Sequence, residues 1–436
     1  MTRAVRSRRS SRLAFAVVAT VLALVGTACS DGHIDVRASP SAGWSSFGGD
    51  GANSNYSPAQ VPSDLTLSWS REIGDREFSP LAITGNGDVA GTSRTANGCN
   101  FTVLDSRAGR KNTCTRLGEG SSLNTPFYDQ LSQPYIGEAG MFFALTGGGA
   151  IRWRMPTIGL PLSAKSAAPG RILVTTTQGQ VLLLNAQTGD MTAPEVRLRP
   201  DPDLGDPMAG VSECAGGGAQ CAISAPPAVD SQRKRFFLNF FPGGAKTSQV
   251  KAMNIVEENG QEQVKSLWTA DVGGGVMGPP TLSADGQTVY SFGRDGKLYA
   301  LDADDGAVRW SYDLGGYGFA TLTVSPDGII VPAGELGGPL VILRDTGSKV
   351  DEVARRDDVQ MAGVGALNAS GTVWAVVRDE GRKLALTEFD AADGSTKTSV
   401  PMPGATGFST GVAVSATGQL AVGTTGGSAY YFNVES

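Results

Sequence analysis

Histidine is nearly missing from this 436-residue chain, which has one, His33, in a polar stretch near its start. Its place in that stretch excludes a histidine-based catalytic triad, and its being single excludes any multi-histidine metal site. Charged residues are only 18%, and no heptad or long amphipathic helical pattern stands out. Apart from residues 13–28 there is no long hydrophobic run, and those 16 residues are too short to span a bilayer comfortably. None of the five cysteines has another cysteine beside it. Basic charge is also scarce. Without the five arginines of residues 1–28, 31 of the 36 basic residues remain against 42 acids, a net charge of −11. Such acidity argues against nucleic acid as a partner and reads as solubility outside the cell.

Glycine is abundant, at 59 residues. The stretch 277–315 shows why. Its short apolar runs, 288–292, 297–301 and 307–312, are separated by Ala284-Asp285-Gly286, Arg294-Asp295-Gly296 and Asp304-Asp305-Gly306. Asp and Gly tolerate the positive φ of tight hairpin turns, so the spacing predicts a four-stranded antiparallel meander. A lone meander leaves faces and edges uncovered, and it must repeat to be stable.

It does repeat. First strands are led in by Phe78-Ser79-Pro80, Leu123-Asn124-Thr125, Leu162-Ser163-Ala164, Ile223-Ser224-Ala225, Met277-Gly278-Pro279, Phe319-Ala320-Thr321, Met361-Ala362-Gly363 and Phe408-Ser409-Thr410. These eight lead-ins stand 39 to 61 residues apart, the spacing of propeller blades. The run Leu67-Ser68-Trp69-Ser70-Arg71-Glu72-Ile73-Gly74 matches the last strand of other repeats, as at Trp153, Trp268 and Trp310, but no three strands precede it. After 411–414, 419–424 and 428–433 the last repeat lacks its fourth strand. Pairing the spare strand with the incomplete repeat closes the ring and removes both sheet edges. The expected fold class is all-β, an eight-bladed β-propeller of four-stranded antiparallel blades closed by the N-terminal strand. The four tryptophans, at matching places in their repeats, are read as inter-blade contacts rather than a ligand-binding set.

Ahead of the ring, residues 1–28 have the basic start and apolar core of a secretory signal. The small-residue stretch Val25-Gly26-Thr27-Ala28 directly before the lone Cys29 resembles a bacterial lipobox, which implies lipid attachment at Cys29 after cleavage. Residues 29–43 read as a polar tether and 44–436 as the propeller. An export signal also turns the remaining even set, Cys99, Cys114, Cys214 and Cys221, into candidate disulfides. A hairpin turning at 105–108 sets Val103 opposite Arg110 and Cys99 opposite Cys114, leaving Cys214 to pair with Cys221 inside the Pro-, Asp- and Gly-rich insertion 200–220.

The repeats resemble the pyrroloquinoline-quinone (PQQ) type repeat family. The clearest copy is Asp295-Gly296-Lys297-Leu298-Tyr299-Ala300-Leu301-Asp302-Ala303-Asp304-Asp305-Gly306-Ala307-Val308-Arg309-Trp310, and a second is Gln178-Gly179-Gln180-Val181-Leu182-Leu183-Leu184-Asn185-Ala186-Gln187-Thr188-Gly189. The lead-in Trp44-Ser45-Ser46-Phe47-Gly48-Gly49-Asp50, continuing to Tyr56-Ser57-Pro58, is similar to that of the same family, and its aromatics are expected to cover one end of the barrel core. The family includes quinoprotein dehydrogenases and a lipoprotein of the outer-membrane barrel-assembly machinery. The dehydrogenase activity implies an adjacent Cys-Cys pair and an acid–amide calcium site. This chain has no such pair, and its aspartates stand in turns, 302–305 included, where Asp has a local hydrogen-bonding role.

With these departures from the dehydrogenase pattern, no enzyme, no cofactor, no metal and no catalytic residue is expected. The resemblance implies a monomeric envelope lipoprotein, membrane-held through Cys29, that binds an envelope protein or polymer. A small-molecule-binding sensor or an enzyme, with its ligand in the central funnel, is the alternative. The binding face is expected where strand-two-to-three loops and blade-to-blade connections meet, at 92–98, 200–220, 273–276 and 315–318. Arg233-Lys234-Arg235 is expected in a solvated turn.

Overall fold

The computed structural model describes residues 37–434 apart from 75–78, 96–97, 316–318, 335–336, 380 and 382. The signal, Cys29, His33, the start of the tether and Phe78 lie outside the described residues, as do parts of the loops 92–98 and 315–318. Among the described residues there is no α-helix, only the 3-10 turns Ser121–Leu123 and Val211–Glu213. None of their helices is long and apolar enough to cross a membrane.

The strands form six four-stranded sheets and one of nine. The larger sheet holds two meanders, from Phe319–Val324 to Val350–Met361 and from Ala366–Asn368 to Thr396–Pro401. They fuse because the long Val350–Met361 strand runs on to pair Gln360 with Arg378 and Met361 with Val377. The ninth strand, Tyr56–Ser57, lies parallel to Ala366–Asn368. The described strands thus make eight antiparallel units of four, here called blades one to eight, and each starts close to one of the eight lead-ins.

Blade eight takes Ser409–Val414, Leu420–Thr424 and Ser428–Val434 from the C-terminus and Leu65–Glu72 from the N-terminus. The two ends pair from Leu65 with Val434 to Glu72 with Ser428, with one bulge between Leu67 and Trp69. Ring closure by the N-terminal strand is therefore a property of the structure.

Inner strands are buried throughout, as in Arg235–Phe240 and Thr288–Gly293. Outer strands such as Val308–Asp313 alternate, with one face against the next blade and one in water. Inter-blade contact has a recurring form. The indole of Trp69 donates to Ser106 O at 3.0 Å, Trp153 to Ala186 O at 3.1 Å and Trp268 to Ala303 O at 3.1 Å, each in a turn of the following blade. Gly109, Gly189 and Gly306 press those turns onto the rings. A Cβ on Gly306 would meet Trp268 at 2.7 Å, and its φ of +79° is itself a glycine conformation. Trp310 instead donates to the Asp345 carboxylate at 3.0 Å.

Three expectations need correction. Cys99 is bonded to Cys114, with Cα atoms 5.4 Å apart, but the register differs. Cys114 stands opposite Thr102 and Val103 opposite Thr113, because the turn beyond Leu104–Lys111 is two residues longer than expected and a bulge after Val103 adds a third. Cys99 reaches across from outside the strand. Secondly, residues 38–43, counted with the tether, are docked: Gly170 N donates to Ala38 O at 2.7 Å and Ser41 N to Tyr128 O at 2.9 Å. Thirdly, Arg235 is buried rather than solvated. Its guanidinium ties Asp230 of blade four to Gly286 O, Ala303 O and Asp304 of blade five.

Candidate functional site

A blind funnel runs down the middle of the ring. Its cavity holds about 520 Å³ and is lined by the starts of first strands from blades one, four, five, six, seven and eight. What closes it is the segment 38–57. This segment crosses from blade to blade, and its backbone carbonyls accept from Ile83, Tyr128, Val229, Leu282, Val324 and Leu367. Asn53 and Asn55 are its rivets. The Asn53 amide donates to Pro226 O at 3.2 Å and Pro280 O at 3.0 Å, and the Asn55 amide to Leu322 O at 2.9 Å. Both residues have positive φ, 58° and 48°, a region that asparagine enters more readily than most side chains. Trp44 and Phe47 form the apolar floor. The expected role of these aromatics, covering one end, is what they do.

Lys165, on the first strand of blade three, holds the plug from the side. It is 1% exposed, and its ammonium donates to Phe47 O, to Asp50 O at 2.6 Å and to Ser46 Oγ at 3.3 Å. Burial pulls its pKa down from 10.5 to about 7, against the attraction of Asp50. The consequence for stability has a definite sign. An unfolded lysine stays protonated up to about 10.5, whereas the folded one releases its proton near 7. Between those pH values the folded state binds fewer protons, so stability rises with pH, by at most about 1.4 kcal/mol per unit. It is flat in this respect below pH 7. Urea unfolding at pH 6, 8 and 9 should show the rise in the wild type and its loss in Lys165→Met; equal slopes in the two proteins would count against it.

At the other end lies the arch formed by insertion 200–220. The Cys214–Cys221 disulfide, with Cα atoms 5.1 Å apart, clips its base. Gln178 of blade three holds Asp203 N at 2.5 Å and Asp206 O at 2.9 Å, and Arg199 grips Gln220 through two bonds. The arch is wide. Pro207 reaches Gly140 of blade two, Met208 reaches Gly120, and Gly217 lies against the guanidinium of Arg294 in blade five. Hollows flank it on both sides. Cys214 and Ala215 line the funnel, while Met208, Val211 and Ser212 line a second, shallower cavity of about 840 Å³ with Arg94, Arg116 and Leu123. Sequence spacing pointed to the insertion and its face. The joining of blades two, three and five under one arch rests on contacts distant in sequence, which no local pattern announces.

The turn 302–305 holds no spare carboxylate pair. Asp302 is bound to Arg309 at 2.8 Å and Asp304 to Arg235. Among the described residues no group of three or more His, Cys, Asp or Glu is placed to hold a metal ion.

A ring of four-stranded blades with a plugged central funnel defines the class: a β-propeller with one closed and one open end. The chain belongs to the PQQ-like repeat family described as outer membrane protein assembly factor BamB, whose family model matches residues 252–396. Protein Rv3035 of Mycobacterium tuberculosis is 32% identical over 410 residues, covering 93% of this chain and 99% of its own. The crystal structure of BamB from Moraxella catarrhalis superposes with a TM-score of 0.60 at 15% identity, over 85% of this chain and 99% of that one. Quinohemoprotein alcohol dehydrogenase from Comamonas testosteroni gives 0.58 at 13% identity, over 95% and 84%. These two structures show the fold alone.

A quinone–calcium pair does not fit this funnel. Its described lining contains no carboxylate, one charged side chain (Arg294), and a cysteine, Cys214, already committed to a disulfide.

Proposed function

We propose that this protein is a non-catalytic scaffold of the cell envelope. It is exported, held to a membrane by lipid on Cys29, and binds an envelope protein or polymer on its arch-bearing face. The observation that carries this reading is the inequality of the two faces. One is sealed by the plug and by short turns such as 85–87 and 304–306, while the other carries a disulfide-clipped arch between two hollows. Irregular, well-positioned loops on a rigid frame are where recognition concentrates. Membership of the family named for an assembly factor supports a binding role. The lone cysteine behind a small-residue stretch supports the anchor.

The test replaces residues 200–220 with a short Gly-Ser linker, together with Cys221→Ser. The ring should keep its cooperative melting transition, and crosslinked partners should disappear from cells. Partners surviving on a folded variant would rule out the arch as the docking element.

A further inference from the structure

We infer that the central funnel is a binding site for a small amphiphile with one anionic head and an apolar body, of the fatty-acid type. The cavity, about 520 Å³, has the size of small-ligand sites. Its wall is mostly apolar: Leu81, Met277, Val364, Phe408 and Val412 stand above the Trp44 and Phe47 floor. Most polar groups in that wall are satisfied by the wall itself, the buried Thr410 hydroxyl being the exception. Asn239, buried in blade four, spends its amide protons on Ser224 Oγ at 2.8 Å and Gly278 O at 3.0 Å. A sugar or other polyol would find few free partners there.

Charge sets the other half of the specificity. Arg294 is the one charged side chain in the described lining. It is exposed at the rim, beside Gly217 of the arch, and its guanidinium has no hydrogen-bond or ion-pair partner among the described residues. A lone guanidinium above a blind apolar hollow matches one carboxylate on a chain, since guanidinium and carboxylate pair through two parallel hydrogen bonds. It does not match a polyanion, which would need more cations, or an organic cation, which would meet only like charge. The acyl body would lie down the funnel with its end at Trp44 and Phe47, shielded from water by the plug.

This assignment is independent of the protein partner, because it concerns the hollow and not the outer surface of the arch. The probe is dodecanoate, titrated below its micelle concentration into the purified protein and followed by calorimetry and native mass spectrometry. Octanoate and dodecyltrimethylammonium serve as comparisons. One dodecanoate per chain is expected. Each methylene should tighten binding by up to about fourfold, so octanoate should bind much more weakly. Arg294→Gln should weaken dodecanoate about tenfold or more, because it removes a charge-assisted pair. The cationic probe should bind at least about tenfold more weakly than dodecanoate. Met277→Trp, which fills the hollow, should abolish binding while partner capture through the arch persists. Melting curves establish that both variants are folded. The inference is overturned by absence of saturable dodecanoate binding, by equal affinity for the anionic and cationic probes, or by an affinity untouched by Arg294→Gln or Met277→Trp.

Discussion

Replacing Leu65–Glu72 with an equal-length run of glycine and serine should leave no stable ring. That strand supplies the outer ladder of blade eight, from the Leu65–Val434 pair to the Glu72–Ser428 pair. It also carries Trp69, 5% exposed, stacked on Tyr431 with ring centroids 5.2 Å apart and bonded to Ser106 O of blade one. Losing a buried tryptophan costs about 3–5 kcal/mol by itself. Leu65, also buried, adds to that, and Ser428–Val434 becomes a free edge beside the hole. Against a typical domain stability of about 5–15 kcal/mol, the sum is enough to unfold the protein or drive it to aggregate through the edge. Trp69→Ala alone should give the first part of the loss. Urea unfolding with light scattering reads both, and a replacement variant melting within a few degrees of wild type would mean that the ring does not depend on this closure.

The second large effect belongs to the plug. Asn53→Ala combined with Asn55→Ala removes the amides that satisfy Pro226 O, Pro280 O and Leu322 O, and puts alanine at φ values of 58° and 48°. Each buried group left unpaired costs about 1–3 kcal/mol, and alanine in the left-handed region adds about 1 kcal/mol per site. Three unpaired groups and two strained sites together should cost about 5–11 kcal/mol. The Asn→Gly pair separates the two causes, since glycine keeps the backbone relaxed and loses only the amides. The loss from Asn→Gly should be smaller than from Asn→Ala but still above about 1 kcal/mol. A double alanine variant within 1 kcal/mol of wild type would show that the segment merely lies against the ring.

Much of this architecture was legible because its causes are local. Asp-Gly turns, period-two strands and a tryptophan at the same place in several repeats announce blades, and a spare strand at one end with an incomplete blade at the other announces closure. The Cys99–Cys114 hairpin shows where locality fails. A longer turn and the bulge after Val103 together shift the partner of Cys114 to Thr102, and nothing in the spacing of the hairpin marks either. Arg235 read as part of a solvated basic turn because its acceptors, Gly286 O, Ala303 O and Asp304, belong to the next blade. Lys165 and Arg294 escaped for the same reason. One is defined by carbonyls more than a hundred residues away, the other by a hollow that exists only once the ring is closed. The plug stood between these cases. Its aromatics suggested a cover, but its reach from blade to blade depends on Asn53 and Asn55 meeting carbonyls of distant repeats.

The claim that recognition belongs to the arch-bearing face is tested most directly by photo-crosslinking in living cells. A crosslinking side chain placed at Leu204, 74% exposed on the arch, or at Leu123 beside the second hollow should capture a defined envelope partner. The same side chain at Asn86 or Asp305, in the short turns of the opposite face, should capture none. Capture from Asn86 and Asp305 with silence at Leu204 and Leu123 would contradict the account.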